Sequence, residues 1–378
     1  MRICLLSNAW SIHTKRWAIF FQKRGHEVHI VSKGGFNGDS IEGVELHVIK
    51  KFTERPGIIS EFLNYRHLSS QVRKIIGEID PDIVNAHYVS IYGVLASAVG
   101  FHPYVATVWG SDVLQDINRS YLIRLSVRRA LSNADRITIA THDLQKHLIQ
   151  NLMVQKEKIE IVPWGVDLSI FHKGYESEVK RLFSELDINP DSHIILSSRS
   201  AHPLYNIENI VEAIPLVLKS RDDVVFILLK GSGEPEYMQQ IESLIRENEV
   251  QDNVRLIRRE VSPHEMAVLN NAADAFISIP QSDQFGLTIL EGMACGSVPI
   301  VSPLPFYSQY LEDGRNAIFV TPEKPEEISD AILLSISNQD MRERFNNQNI
   351  SIVGEKEDWN ENALKMEDLF KRLVSNKV

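Results

Sequence analysis

The sequence predicts two α/β domains in series, each an open parallel sheet with helices on both faces. Three observations carry this. The chain has 378 residues, more than one ordinary core supports, and domains of roughly 150–200 residues are the expected division. Short apolar runs rich in β-branched residues alternate with helix-period segments, the rhythm of strand–helix–strand units. That rhythm stops once, at the polar stretch Lys173–Asp191, and then restarts.

In the first half, Arg2–Ser7 reads as a strand, Lys15–Arg24 as a helix closed by Gly25, and Glu27–Ser32 as a strand. Asp82–Ala86, Tyr104–Val108 and Arg136–Ala140 are further short strands, with helices over Ser60–Ile76 and Tyr121–Ser132. In the second half, strands are expected at Ile194–Ser197, Val224–Leu229, Val254–Ile257, Ala275–Ile279, Val298–Val301 and Ala317–Val320. Helices are expected at Ile207–Lys219, Glu236–Asn248, Ser262–Asn271 and Thr288–Met293, with Pro215 kinking or shortening the first. The amphipathic segment Trp359–Leu373 is a last helix with no strand after it. The expected divisions are 1–170, 171–345 and a helical tail, 346–378.

Composition sets limits on function. Hydrophobic residues make up 43% and charged residues 24%, a soluble globular balance. Two cysteines, Cys4 and Cys295, lie in apolar runs and match neither a disulfide framework nor a zinc spacing. Buried free thiols fit a reducing, cytoplasmic setting. No run reaches the ~18–20 apolar residues of a membrane span. The apolar start Met1–Ser7 is too short for a signal peptide and reads as the first buried strand. Net charge is −10, unevenly placed. Residues 1–165 carry 20 basic and 15 acidic side chains, and 166–378 carry 20 and 35. An acidic second half argues against a nucleic-acid binder.

Ligands of open parallel sheets bind outside the carboxyl ends of the strands, and two domains facing one another would place a site in the cleft between them. The segment richest in chemistry runs from Pro280 to Gly296 and links a strand to a helix. Gly286 lacks a Cβ, so a substrate can approach the backbone there. The amides of Leu287 and Thr288 are helix-start donors suited to phosphate. Asp283 in the loop and Glu291 on the helix can contact a sugar and grip a ribose diol. They can equally be a capping Asp and a Glu favoured by the helix dipole. His87 ends a strand, where ligands bind, or is a histidine satisfied by its neighbours. His13 starts a helix beside Lys15 and Arg16, as a site residue or as part of a solvated basic face. Trp109 is either core or a surface for stacking a sugar, and Asp112 either faces a substrate or caps a helix.

The run Asp283, Phe285-Gly286, Glu291-Gly292-Met293-Ala294-Cys295-Gly296-Ser297-Val298-Pro299 resembles the signature of family 4 retaining glycosyltransferases, which have the GT-B fold. Other matches come in the family's order: Trp109-Gly110-Ser111-Asp112, Pro163-Trp164-Gly165-Val166-Asp167, Gly231-Ser232-Gly233 and Asp313-Gly314-Arg315-Asn316. The resemblance implies two Rossmann-like domains, with the C-terminal helix packing back on the first. It implies transfer from a nucleotide-diphosphate sugar to a hydroxyl acceptor, a glycan or lipid-linked glycan intermediate. It gives catalytic roles to Asp283, His87 and Arg199. Donor contacts would come from Arg199, Phe285, Gly286, Leu287, Thr288 and Glu291, with the base near Arg259–Val261. His13, Trp109 and Asp112 would lie on the acceptor side. No metal or other cofactor is expected.

Three departures stand out. The family's Lys after Arg199 is absent, its place falling near Leu204 or Tyr205. Asn8-Ala9-Trp10-Ser11 replaces a Gly-Gly loop, and Trp109 replaces a His. A same-fold epimerase or phosphorylase, or a nucleotide-sugar binding protein without catalysis, are the alternative readings. The basic cluster Arg119, Arg124, Arg128 and Arg129, interleaved with Tyr121, Leu122, Ile123 and Leu125, fits either a solvated face or peripheral contact with an anionic inner-membrane surface.

Overall fold

The computed structural model describes residues 1–36, 40–231, 233–283 and 286–376. The chain divides into two compact units, Met1–Trp164 with Asn360–Val378, and Gly165–Trp359. The boundary therefore falls after Trp164 rather than at 170. The returning tail begins at Asn360 rather than 346, because residues 346–359 belong to the second unit.

The first unit runs β1 (Arg2–Leu6), α1 (Ile12–Lys23), β2 (Glu27–Ser32), β3 (Val44–Val48), α2 (Ile58–Ile79), β4 (Ile83–His87), α3 (Val94–Val99), β5 (Tyr104–Thr107), α4 (Ser111–Leu114), α5 (Tyr121–Asn133), β6 (Arg136–Ile139), α6 (His142–Leu152) and β7 (Ile159–Ile161). Its parallel sheet has the order β3-β2-β1-β4-β5-β6-β7. Alternation along the strands builds both faces. Cys4, Leu6 and Val31 pack with Leu68, Val72 and Ile76 of α2. Ile3, Leu5, Val28 and Ile30 are buried on the alternate positions.

The second unit runs α7 (Glu176–Glu185), β8 (His193–Ser197), α8 (Ile207–Leu218), β9 (Val224–Leu229), α9 (Pro235–Glu247), β10 (Val254–Ile257), α10 (Pro263–Ala272), β11 (Ala275–Ser278), α11 (Leu287–Cys295), β12 (Val298–Val301), β13 (Ile318–Phe319), α12 (Pro325–Ser337) and α13 (Gln339–Lys356). Its parallel sheet has the order β10-β9-β8-β11-β12-β13. The helix α8 continues through Pro215 to Leu218, one residue short of the expected Lys219. In this helix Ile207, Ile210, Val211, Ala213, Ile214 and Val217 are all buried, and that packing outweighs one lost backbone bond.

The last helix, α14 (Trp359–Ser375), returns to the first unit. Phe370 stacks on Phe21 of α1 with ring centroids 5.3 Å apart. Glu367, nearly buried, takes Arg24 at 2.9 Å and His26 at 2.7 Å. Both cysteines are buried and unpaired. No helix among the described residues is long and apolar enough to cross a membrane.

Candidate active site

Each sheet reverses its direction of growth once, between β1 and β4 and between β8 and β11. At such a switch point the loops leave in opposite directions and open a crevice. Arg199 follows β8 and Asp283 follows β11, so the second switch point brings the two together. The Arg199 guanidinium forms an ion pair with Asp283 Oδ2 through Nη2. Its Nε donates to Ser278 Oγ at 2.8 Å. Tyr307 donates its hydroxyl to the same Asp283 oxygen at 2.8 Å. Arg199 is buried, and burial alone would lower its pKa, but Asp283 more than offsets this and holds it raised. Burial also raises the Tyr307 hydroxyl. Tyr307 and Ser278 were not among the expected site residues. Their only sequence signal is position, one at a strand's carboxyl end and one in the loop after β12.

The next part of this site is the start of α11. Gly286 precedes it with φ of +47° and no side-chain cap. A Cβ there would meet Ile289 and Tyr307 at 3.2 Å. The amides of Leu287 and Thr288 are first-turn donors with no acceptor inside the helix. Thr288 Oγ1 is buried and has no hydrogen-bond partner among the described residues. Leu287, Thr288 and Glu291 are half-buried on the first turns. Phe285 lies outside the described residues, as does Ser232 of the Gly231–Gly233 turn. In that turn Gly233 admits no side chain, since a Cβ would sit 2.3 Å from the Ala201 carbonyl. Arg259 is exposed and committed to Glu265 at 2.7 Å, which also closes the capping box of α10. Val261 is half-buried against the core.

The first unit treats its expected residues differently. His87 is completely buried. Trp109 Nε1 donates to His87 Nδ1 at 3.2 Å, so the ring proton sits on Nε2. From there it reaches Asn85 Oδ1 at 2.7 Å. Asn85 donates onward to Thr107 Oγ1 at 2.8 Å and the Val105 carbonyl at 3.1 Å. Burial, then the nearby His13, lowers the His87 pKa to about 3. His87, expected as a catalytic residue, is thus engaged by Trp109 and Asn85 of its own unit. Both ring nitrogens are spent inside the chain, and the ring stays neutral.

Asp112 is also fully buried. It accepts from the amides of Val89 at 2.7 Å, Gly110 at 2.8 Å and Trp109 at 3.2 Å. Burial pushes its carboxyl up to about 6 against the pull of those amides. It ties the loop after β5 to the turn after β4. His13 and Trp109 do come together. The His13 ring lies 5.6 Å from Trp109 and 4.6 Å from Trp164, and Trp109 meets Trp164 edge-on at 5.1 Å. Burial, then Arg16, lowers the His13 pKa to about 4. Trp164 was visible in sequence only as part of a turn.

The first unit matches the family model described as Glycosyl transferase 4-like over residues 2–141, and the second matches Glycosyl transferases group 1 over 178–351. The chain belongs to the family 4 glycosyltransferases. It is a divergent member. An alpha-monoglucosyldiacylglycerol synthase of Streptococcus pneumoniae is 28% identical over 52% of this chain and 43% of that protein. A D-inositol 3-phosphate glycosyltransferase of Paenarthrobacter aurescens is 26% identical over 54% of this chain and 50% of its own. The chain thus spans about half the length of these curated relatives. An uncharacterised glycosyltransferase of Methanocaldococcus jannaschii is 22% identical over 92% of this chain and 90% of its own. Among solved structures, a Rickettsia africae glycosyltransferase superposes with a TM-score of 0.81 at 16% identity, covering 99% of both chains. Anabaena HepE in complex with UDP and glucose gives 0.79 at 16%, covering 99% of this chain and 100% of that one. The fold is the two-domain GT-B fold of these enzymes. In this family 4 member, the usual second cation is absent near Leu204 and Tyr205, and the Arg199 guanidinium lies over the Tyr205 ring, 4.9 Å from its centroid.

Proposed function

We propose that the chain is a retaining glycosyltransferase that moves a sugar from a nucleotide-diphosphate donor to a hydroxyl acceptor. One observation carries the reading. Beside the buried Arg199, the start of α11 has no side-chain cap, and the buried Thr288 hydroxyl has no partner among the described residues. A diphosphate supplies acceptor oxygens for such a helix start and for that hydroxyl. Glu291, one turn into the helix, is then the group for the ribose diol. Asp283 faces the sugar, and Arg199 stabilises the charge that develops on the leaving diphosphate. Retention follows from same-face attack, with the departing phosphate oxygen taking the acceptor proton. That route asks for no enzyme base, in keeping with a His87 sealed off from substrate. The positive charge that the leaving group needs comes from Arg199 and helix amides, so no metal is assigned to the transfer.

The acceptor side is the first unit. Helix α5 buries Val127, Ala130 and Leu131, yet it leaves Tyr121 77%, Leu122 65% and Leu125 50% exposed. Arg124, Arg128 and Arg129 are exposed beside them. Exposed apolar groups among arginines suit the boundary of an anionic bilayer. Together with the diacylglycerol-named relative, this favours a lipid-linked acceptor at the inner membrane face.

The test is incubation of the purified chain with UDP-, ADP- and GDP-sugars, each with and without lipid and glycan acceptors. Acceptor-dependent release of nucleoside diphosphate with the anomeric configuration kept is the expected result. Donor binding with no release against any acceptor would replace the enzyme by a binding protein. Release of sugar phosphate would point to a phosphorylase.

A further inference from the structure

The first unit holds a cluster of ligating side chains away from the candidate site. It lies on the edge strand β3 and its neighbour β2. In the parallel register His29 pairs with Glu45, and Val31 with His47. Residues two apart share a face, so His29, Glu45 and His47 project from the same side of the sheet. His29 Nδ1 lies 3.1 Å from His47 Nε2 and 3.3 Å from Glu45 Oε2. His47 Nε2 lies 3.8 Å from the same carboxylate oxygen. The three atoms lie within 4.8 Å of one another.

From this geometry we propose that His29, Glu45 and His47 form a binding site for a zinc-class divalent transition ion. Metal–nitrogen and metal–oxygen bonds of about 2.0–2.2 Å put the ligand atoms of a tetrahedron roughly 3.3–3.6 Å apart. The observed separations bracket that spacing. The outer support is also in place. His29 Nε2 meets Glu27 Oε1 at 3.0 Å, the carboxylate–histidine arrangement that fixes the coordinating tautomer. Glu27 is itself held by Arg2 Nε at 2.9 Å. With its Nε2 proton given to Glu27, His29 turns the lone pair of Nδ1 toward the Glu45 carboxylate. In the metal-free chain His47 Nε2–H can donate to this lone pair at 3.1 Å, and a metal ion would take that proton's place among the three ligand atoms.

Access comes from the sheet edge. His29 is nearly buried, whereas the side chains of His47 and Glu45 are 28% and 72% exposed. Three protein ligands leave a fourth position for water. Bound there, the ion pins the edge strand β3 to β2, at a place where sheets otherwise present unpaired backbone. The motif was not visible in sequence because its ligands come from two strands separated by a loop. They share one face only once the register is set.

Equilibrium dialysis of the chelator-stripped full chain against zinc chloride tests the site, with cobalt substitution reporting geometry. One equivalent of zinc is expected, and the cobalt form should show the intense visible bands of tetrahedral coordination. His47→Gln and the surface change Glu45→Gln should each weaken binding at least 10-fold. Glu27→Gln, which touches no ligating atom, should weaken it about 10–100-fold. Folding of each variant is checked by circular dichroism, and Glu45→Gln carries the test if His47→Gln does not fold. Absence of zinc binding in the wild type would overturn the proposal and leave the His47 proton in that place. Unchanged affinity in both His47→Gln and Glu45→Gln, or a weakly absorbing six-coordinate cobalt form, would also overturn it.

Discussion

The two units share an architecture, yet they spend their polar groups in opposite ways at equivalent places. In the first, the residues beyond β4 and β5 satisfy one another. His87 is closed between Trp109 and Asn85, and Asp112 is filled by three amides. In the second, the residues beyond β8 and β11 leave capacity over. The start of α11 has no side-chain cap and Thr288 Oγ1 has no partner among the described residues, and the Arg199–Asp283 pair is a contact that a dianionic ligand can compete for. Buried polar groups are costly unless paired. Beyond β8 and β11 the second unit therefore keeps hydrogen-bonding capacity for a polar ligand, whereas beyond β4 and β5 the first unit uses His87 and Asp112 to hold its own loops.

Asp283→Asn tests this difference hardest. The variant removes the countercharge of a buried arginine, and breaking such a pair costs about 3–5 kcal/mol of stability. Turnover should fall by roughly 10³-fold or more, from loss of the carboxylate beside the sugar. Nucleoside diphosphate, however, should bind the variant more tightly than wild type, because Arg199 no longer has Asp283 to satisfy it. Calorimetric titration measures the affinity. Weaker diphosphate binding by Asp283→Asn would show that Asp283 orients Arg199 rather than competing for it.

Acid should reveal this internal use of His87 in the first unit. The His87 pKa falls from an ordinary 6.5 to about 3 on folding. The folded state then binds fewer protons than the unfolded state between those values. Its contribution is complete above pH 6.5 and is lost as pH drops toward 3. Between pH 7 and pH 4 this amounts to about 3 kcal/mol. His13, lowered to about 4, acts in the same direction. Asp112, raised to about 6, opposes them, since its contribution is complete below pH 3.8 and fades as pH rises through 6. Four of the five tryptophans, Trp10, Trp17, Trp109 and Trp164, lie in this unit, so denaturation followed by tryptophan fluorescence reports on it. His87→Gln should be less stable at pH 7 but lose distinctly less on acidification. An unchanged pH slope would mean that His87 does not stay neutral.

Much of the architecture could be read directly from sequence, because both sheets are buried on two faces. Runs such as Val224–Leu229 then stay apolar at every position and stand out from the helices between them. The edge strand Val44–Val48 escaped because one side is half-exposed and carries Glu45 and His47. The three-residue strand Ile159–Ile161 escaped for its length. At the candidate site, contiguous residues were legible: Asp283, Gly286, Thr288 and Glu291 belong to one loop and one helix. The partners that decide what they do were not. Tyr307 reaches Asp283 from 24 residues away, and Tyr205 stacks on Arg199 where sequence order suggested only a missing lysine. His87 and Asp112 were open between two readings, since sequence does not reveal whether neighbours already fill a side chain.

The outer surface of the first unit offers a smaller effect. Changing Arg124, Arg128 and Arg129 to Gln removes three exposed charges, each worth about 1 kcal/mol near an anionic surface. Co-sedimentation with anionic vesicles should fall by up to about 100-fold in partition. Added salt should weaken the wild type likewise, since the attraction is screened beyond about 8 Å at physiological ionic strength. The fold should be unaffected, because the buried stripe of α5 is left alone. Equal recovery of wild type with neutral and anionic vesicles would separate the acceptor side from the membrane.

Tyr307→Phe has the smallest expected effect and sharpens the comparison most finely. It deletes one hydroxyl from the Arg199–Asp283 cluster and keeps the ring that packs against Gly286. If the second unit were as closed as the first, Asp283 would lose a necessary partner and its loop would loosen. If the cluster has capacity to spare, Arg199 still satisfies the carboxylate. The loss is then that of a hydrogen bond to a charged carboxylate, about 1.5–3 kcal/mol, together with the weak contact from Arg199 Nη2 at 3.5 Å. Turnover should drop about 2–10-fold, with the KM for donor nearly unchanged, since the Tyr307 hydroxyl meets Asp283 and the ring is kept. A large rise in KM would place the Tyr307 hydroxyl against the diphosphate itself and make it a donor ligand rather than a support for Asp283.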